Sequence, residues 1–517
     1  MLKKNYDQPP SEFDQQVFEK LVPADHYLRR IKAAVDFTRC RALVADCYSP
    51  NMGRGAIDPV RLIKLLLLQF HYGLSDDRVI AETQVNVAFR FFLDLSVEAT
   101  LPEPSLLSQF RTRLGEERFA LLFQEILAQA RAAGLVKDRL RLKDATHIIA
   151  NIAVPATIQL VAQIRTQLLD AAEVFAADEV AAHRQHAADL RQMTTDLKNE
   201  VRLLRRIEHL RELVVWSDQW CDRLANASPR LCTPAQQEKF EEALKLAHKI
   251  LKDREAGATD KVVSLTDPEA RRNKHGQYYD GYLLDVSLDA DSELICGVDV
   301  LPSNADEAAN TVSLIEQEER AHQNDIESVS LDGIGYNGTV LKKLSDDADG
   351  PQVTVYVPVK ELLPQYPELF QPDDFLLDET KESLTCPQGK VSRTRCRDRR
   401  DHGYVFQFKA SDCRNCPLRH QCLAPGNQNG RRVKKNDFQS QYEAAKKLAT
   451  TEEYKQVRKQ HPRIERKLNE LVRWHDGRRV RYRGRHRVKI QYLLLAVVVN
   501  CKRITRLLTA APIPQPA

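Results

Sequence analysis

Three acids occupy positions where ordinary surface chemistry would not put them. Asp144 closes the alternating run Leu140-Arg-Leu-Lys-Asp144, which sets it on one face with Leu140 and Leu142. A carboxylate on an apolar face is costly unless it is paired, hydrogen-bonded or bound to a metal. Asp332 ends a short strand containing Val329 and Leu331, just before a turn with Gly333, Gly335 and Gly338. Glu465 lies in a basic helix, on one face with His461 and Asn469. Between Arg458 and Lys489 there are thirteen Lys or Arg and three acids, a net +10 in a chain of net +5, so the rest of the chain sums to −5. Such a basic stripe is the electrostatic footprint of a phosphate backbone. Strand-end acids and one helical acid can converge at a sheet edge to hold two Mg²⁺ or Mn²⁺ ions, hard cations suited to phosphodiester chemistry. The bland alternative is that each acid serves as a salt-bridge partner, and Glu470 competes with Glu465 for the third place.

The cysteines form a second constellation. Cys386, Cys413, Cys416 and Cys422, with the Cys-x-x-Cys unit at their centre, can make a tetrahedral thiolate site for structural zinc, leaving Cys396 as a spare. Unliganded thiols in a loop are the alternative. A zinc staple would present Arg393, Arg395, Arg397, Arg399 and Arg400 to DNA. The residues expected to meet phosphates are Arg111, Arg113, Arg431, Arg432, Lys434, Lys435, Arg466, Lys467, Arg478, Arg479, Arg481, Arg483, Arg485 and Arg487. His147 lies near Asp144 but on the opposite strand face, and reads as structural.

Placing these groups needs an α/β sheet with helices around it. The chain has 517 residues, 29% of them charged and 43% hydrophobic, an ordinary globular composition with room for several domains. No apolar run is long enough to span a bilayer, and the N-terminus lacks the apolar core of a secretory signal. A cytoplasmic protein is expected, with no membrane partner. Residues 1–24 read as a loose tail and 25–135 as a helical DNA-binding domain. Within it Asp58-Pro59 opens a helix buried on most sides, Ser75 opens another, and Pro104-Ser105 a third through Leu114. Strands are expected near 140–146, 282–289, 294–301 and 329–332, with a helix from Asn304 to Arg320. The catalytic core is assigned to 136–155, 259–379 and 438–510, interrupted by a helical hairpin at 156–258 and a Cys-rich basic insertion at 380–437, with a tail at 511–517.

The string Leu142-Lys-Asp-Ala-Thr-His-Ile-Ile-Ala-Asn151 resembles the first-aspartate motif of bacterial DDE transposases of the IS4/IS5 superfamily, nearest to the IS1182-like group. Ser330-Leu-Asp-Gly-Ile-Gly-Tyr-Asn-Gly338 is similar to the second-aspartate motif, with one extra residue before the tyrosine. Arg463-Ile-Glu-Arg-Lys-Leu-Asn-Glu-Leu471 looks like the glutamate helix, followed by Tyr482-Arg-Gly484 and Asn500-Cys-Lys-Arg503. The resemblance implies an RNase H-like mixed sheet behind an all-helical N-terminal domain. It implies Asp144, Asp332 and Glu465 as ligands of two divalent metals, with strand cleavage and strand transfer of an insertion sequence as the reaction. Terminal inverted repeats and target DNA would be the substrates of a homodimer at the bacterial nucleoid. An inactive DNA-binding descendant and a nuclease without strand transfer are the competing readings.

Overall fold

Seven helices precede the first strand in the computed structural model, which describes residues 10–49, 55–227, 230–360, 366–378, 380–398 and 402–510. They are α1 (Glu12–Leu21), α2 (Tyr27–Ala34), α3 (Cys40–Leu43), α4 (Pro59–His71), α5 (Asp76–Val85), α6 (Val87–Phe92) and α7 (Ser105–Ala132). The expected loose tail is in part a docked helix. Ser11 and Asp14 form a capping box, and buried Asp14 also accepts the Val97 N–H (2.9 Å) and the Ser96 hydroxyl (3.1 Å). Helix α4 starts as its Asp58-Pro59 signal dictates, and Leu62 through Phe70 are all buried. Gly115 (φ +63°) breaks α7 into two helices, at a backbone conformation that L side chains rarely adopt.

The sheet contains β1 (Arg141–Ile149), β2 (Arg271–His275), β3 (Gln277–Asp289), β4 (Ile295–Pro302), β5 (Ser328–Ser330) and β6 (Thr354–Tyr356). Its order is β2-β3-β1-β5-β6, with β4 also on β3. Strand β1 runs antiparallel to β3 and parallel to β5, so the sheet is mixed. The one-sided burial expected for β1 does not hold, because Arg141 and Lys143 are as buried as Leu142. Arg141 bonds Glu318 Oε1 (2.6 Å) and Asp289 Oδ1 (3.0 Å), and Lys143 pairs with Asp285 (3.0 Å). A central strand has both faces covered, and buried charge survives there only when paired.

Between β1 and β2 lie α8 (Thr157–Met193), α9 (Asn199–Asn226) and α10 (Pro234–Lys252), with their own core around Leu168, Leu210 and Phe240. The expected hairpin is more folded than that. Arg184 on α8 bonds Glu173 (2.7 Å) and Asp170 (2.8 Å), residues that a straight helix would hold about 16–21 Å away along its axis. The chain therefore doubles back at Ala176, whose φ of −140° and ψ of 41° are not helical.

After β4 comes α11 (Asn310–His322), which starts later than the expected Asn304 and leaves residues 303–309 as a loop. Helix α12 (Gly338–Ser345) follows β5. The cysteine segment holds β7 (Leu376–Leu377), β8 (Leu384–Thr385), β9 (Val391–Ser392), β10 (Arg395–Asp398), β11 (Gly403–Gln407), α13 (Ala410–Arg414), α14 (Arg419–Cys422) and β12 (Arg432–Asn436). These strands form two three-stranded sheets. Helices α15 (Gln439–Ala449), α16 (Glu452–Gln460), α17 (Pro462–Asn469) and α18 (Arg485–Ala510) complete the chain.

The middle of α18 is buried on all sides, with every residue from Gln491 to Cys501 buried. It packs on β4 and on α2, α4 and α7. Its Asn500 amide accepts the Ile295 N–H and donates to the Ile295 carbonyl (both 2.8 Å), acting as a strand neighbour for β4. One continuous core thus runs from Leu28 through Phe123 to Leu142 and Val498, so the N-terminal helices are not packed as a separate domain. No helix among the described residues is long and apolar enough to cross a membrane.

Candidate functional site

The parallel register of β1 and β5 pairs Arg141 with Val329 and Leu142 with Ser330. Asp144 and Asp332 each lie two residues beyond the last of these pairs, and the Asp332 charge acts on the Asp144 carboxyl. Asp144 Oδ1 accepts the Ala145 N–H (2.8 Å), and Asp332 Oδ1 accepts the Ile334 N–H (3.1 Å) at the start of the glycine-rich turn. Burial pushes the Asp144 carboxyl up to about 7; the charges of Asp332 and Glu307 push the same way, against the Ala145 N–H and Lys143.

Glu307, in the loop ahead of α11, is a neighbour that sequence reading missed. Burial holds its carboxyl above the usual range, and Asp332, Asp285 and Asp306 add to the effect while Lys143 opposes it. Lys143 Nζ donates to the Glu307 carbonyl (2.5 Å), which ties this loop to β1. The sequence signal was hidden because 304–320 reads as one helix.

Helix α17 covers the same sheet face. Buried His461, at its N-terminal edge, meets the Ser330 hydroxyl (3.1 Å), and Arg458 donates to Ser330 Oγ (2.9 Å) and the Leu331 carbonyl (2.6 Å). Burial, with Arg458 beside it, pushes His461 down to about 4, so the ring is neutral at pH 7. Glu465 follows one turn later, exposed and without an ion pair among the described residues. The charges of Asp332 and Glu465 both act on Arg458. Glu470 is instead bound to Lys467 (2.9 Å) and Lys502 (3.4 Å), in the role of a structural ion pair. His147 contacts Ser303 (3.2 Å) and stacks on Tyr279, away from the acids.

As placed, no three His, Cys, Asp or Glu among the described residues stand ready around a metal ion. The donor chemistry nevertheless fits a hard divalent cation. Asp144 and Asp332 each spend one oxygen on a backbone N–H and keep the remainder free, and Glu465 is unpaired. Cys386, Cys413, Cys416 and Cys422 line one small cavity of about 30 Å³ behind Phe375 and Phe408. Burial pushes the Cys422 thiol up to about 11, and the other three cysteines add to that shift. All four are free thiols, and Cys396 sits apart on exposed β10.

The expected DNA contacts divide sharply. Arg111 is buried against Asp76 (2.5 Å) and the Tyr482 ring, and Lys467 is buried beside Glu470. Arg431 donates to the Cys422 and Phe370 carbonyls, Arg478 to the His147 carbonyl and Arg481 to the Leu74 carbonyl. Lys434 pairs with Asp398 and Arg397 with Asp437, while half-buried Lys435 lies on β12. These groups hold the fold together, since a long basic side chain near a carboxylate or free carbonyl is drawn inward. Arg113, Arg432, Arg466, Arg479, Arg483, Arg485 and Arg487 remain exposed, as do Arg393 and Trp474, the last at 79%. Arg399 and Arg400 lie outside the described residues.

Two segments match known families. Residues 16–113 match the transposase domain DUF772, and residues 385–505 match the transposase DDE domain. The second match contains the four clustered cysteines and Glu465; Asp144 and Asp332 lie outside both. No curated protein and no solved structure is matched.

Proposed function

We propose, starting from a chain that is a DDE-type transposase by both of its matched segments, that Asp144, Asp332 and Glu465 are its metal-binding carboxylates. As such an enzyme it cleaves DNA strands with the help of divalent metal ions. The observation that supports the assignment is the parallel pairing of β1 with β5, from which Asp144 and Asp332 each follow two residues on, with the Glu465 helix tied to the end of β5 through His461 and Ser330. Mg²⁺ or Mn²⁺ bound there would supply a Lewis acid for the attacking hydroxyl and the leaving oxygen. The protein's own share is positional. Lys143 anchors the loop beside the two aspartates, and Arg458 with His461 fixes α17 on the strand end.

The sheet order and the helix across it support an RNase H-like reading of the core. The four thiols around one cavity support a structural zinc, which would take the place of a hydrophobic core in that segment. Exposed Arg466, Arg479, Arg483, Arg485 and Arg487 support a path for double-stranded DNA, first the terminal repeats and then the target. We place this activity in the bacterial cytoplasm, on the nucleoid, carried out by a homodimer.

The test is substitution. Asp144→Asn, Asp332→Asn and Glu465→Gln should each reduce Mg²⁺-dependent cutting of end-containing duplex by at least about 1,000-fold, a scale typical of lost transition-state charge stabilisation. Duplex affinity should stay within about twofold, since phosphate contacts lie elsewhere. Cutting retained in all three variants overturns the assignment.

A further inference from the structure

A wide groove lies away from the carboxylates, in the helical insertion. It is an open groove of about 980 Å³ between the two arms of α8 and the first turns of α9. Arg165 and Arg191 from α8, and Arg202 and Arg206 from α9, line it. None of these four forms an ion pair among the described residues, whereas Arg184 on its wall is matched by Asp170 and Glu173.

Arg165 decides what the groove is for. Its side chain is 6% exposed, and its buried Nε has no hydrogen-bond partner. The Arg202 Nε is also buried and unpartnered. Arg206 spends one donor on the Ile158 carbonyl (2.9 Å) and has Arg191 and Arg202 close by. A guanidinium does not shed its proton in a protein, so crowding and desolvation at these sites can be relieved only by an anion. The N-terminus of α9 faces the same groove with no side-chain cap, which adds unsatisfied N–H donors and a positive dipole end. Arginine forks match phosphate oxygens in pairs. A single inorganic phosphate would leave most of such a volume empty, whereas a run of successive phosphates would follow its length.

We propose that this groove is a second DNA-binding site, taking the phosphodiester backbone of duplex DNA outside the catalytic core. The proposal rests on the transposase reading and assigns a task to the insertion at residues 156–258. It gives α8 a reason to double back at Ala176, because only the reversed chain brings Arg191 beside Arg165.

The experiment measures binding of the full chain to a fluorescent duplex across a salt series, for wild type and for Arg191→Gln/Arg202→Gln/Arg206→Gln. Each lost phosphate contact lowers the slope of log affinity against log salt by about 0.9, so the slope should fall by two to three. Affinity at physiological salt should drop at least tenfold, and lysine at the same three positions should restore the slope. In a parallel measurement on wild type, duplex should protect Arg191 and Arg202 from phenylglyoxal, which settles the matter even if the triple variant misfolds. An unchanged slope with no protection overturns the proposal. Protection by inorganic phosphate but not by duplex overturns it in favour of a small-anion site. If wild type binds and cuts DNA while the groove shows neither effect, the groove assignment fails alone; if wild type neither binds nor cuts, the transposase reading fails with it.

Discussion

Arg141 shows how much of the site depends on residues that never touch substrate. Its guanidinium is fully buried between Glu318, Asp289 and Asp138, three residues before Asp144 on β1. Arg141→Met should cost about 3–5 kcal/mol in denaturant unfolding, because Asp289 would be left buried without its cation and Glu318 would keep only Arg131. A loss under about 1 kcal/mol would mean that the network is dispensable. The cysteines give a second prediction. Purified protein should carry one zinc per chain by atomic emission, and Cys413→Ser or Cys416→Ser should abolish it, while Cys396→Ser should not. Zinc retained in Cys413→Ser would exclude the proposed ligand set. At this scale the sequence was readable where a residue carries its own signal. Asp144 and Asp332 stood out by strand position, and the Cys-x-x-Cys unit by spacing. Arg141 and Lys143 did not, since their partners lie 142 to 177 residues away and no local pattern announces them.

Among the elements, the helical insertion is the most informative. Its α9 residue His209 is buried, with both ring nitrogens unpartnered, stacked on His186 and near His183 and Arg165 from α8. Burial, then Arg165 and the two histidines, pushes it from an ordinary 6.5 down to about 3. The folded state therefore resists a proton that the unfolded chain accepts. Stability is complete above about pH 6.5 and is lost as pH falls toward 3, by about 4–5 kcal/mol for a gap of that size. His209→Leu should flatten this limb of a thermal-melt pH series, and an unaltered limb would place the sensitivity elsewhere. Helix starts at Asp58-Pro59 and Ser75 were legible because their capping chemistry is local. The reversal at Ala176 was not, because alanine is a good helix former and no glycine or proline marks the turn. Glu307 escaped notice for the opposite reason: helix-forming residues around it disguised a loop.

Seen as a whole, the molecule couples its N-terminal helices to its sheet. The buried middle of α18, Gln491 to Cys501, is enclosed by α2, α4 and α7 as well as by β4, so the N-terminal helices and the sheet share one core. The Tyr482-Arg-Gly484 motif sits at that junction, with Tyr482 under Arg111 and Arg481 on the Leu74 carbonyl. The N-terminal helices are thereby in contact with the segment that follows Glu465. On the proposed reading, the exposed arginines after Glu465 and the groove in the insertion are two phosphate-binding surfaces on one chain. The central claim is that acids far apart in the chain act together on a DNA strand. Its most direct test incubates the purified full chain with Mg²⁺ and paired duplexes carrying the flanking repeats of its own locus, together with a supercoiled target. The account predicts nicks at the repeat ends and covalent joining of their 3′ ends to target DNA, both lost on adding chelator or on Asp144→Asn. Joined products that persist in Asp144→Asn, or wild-type protein that binds the repeats and never cuts them, would contradict it.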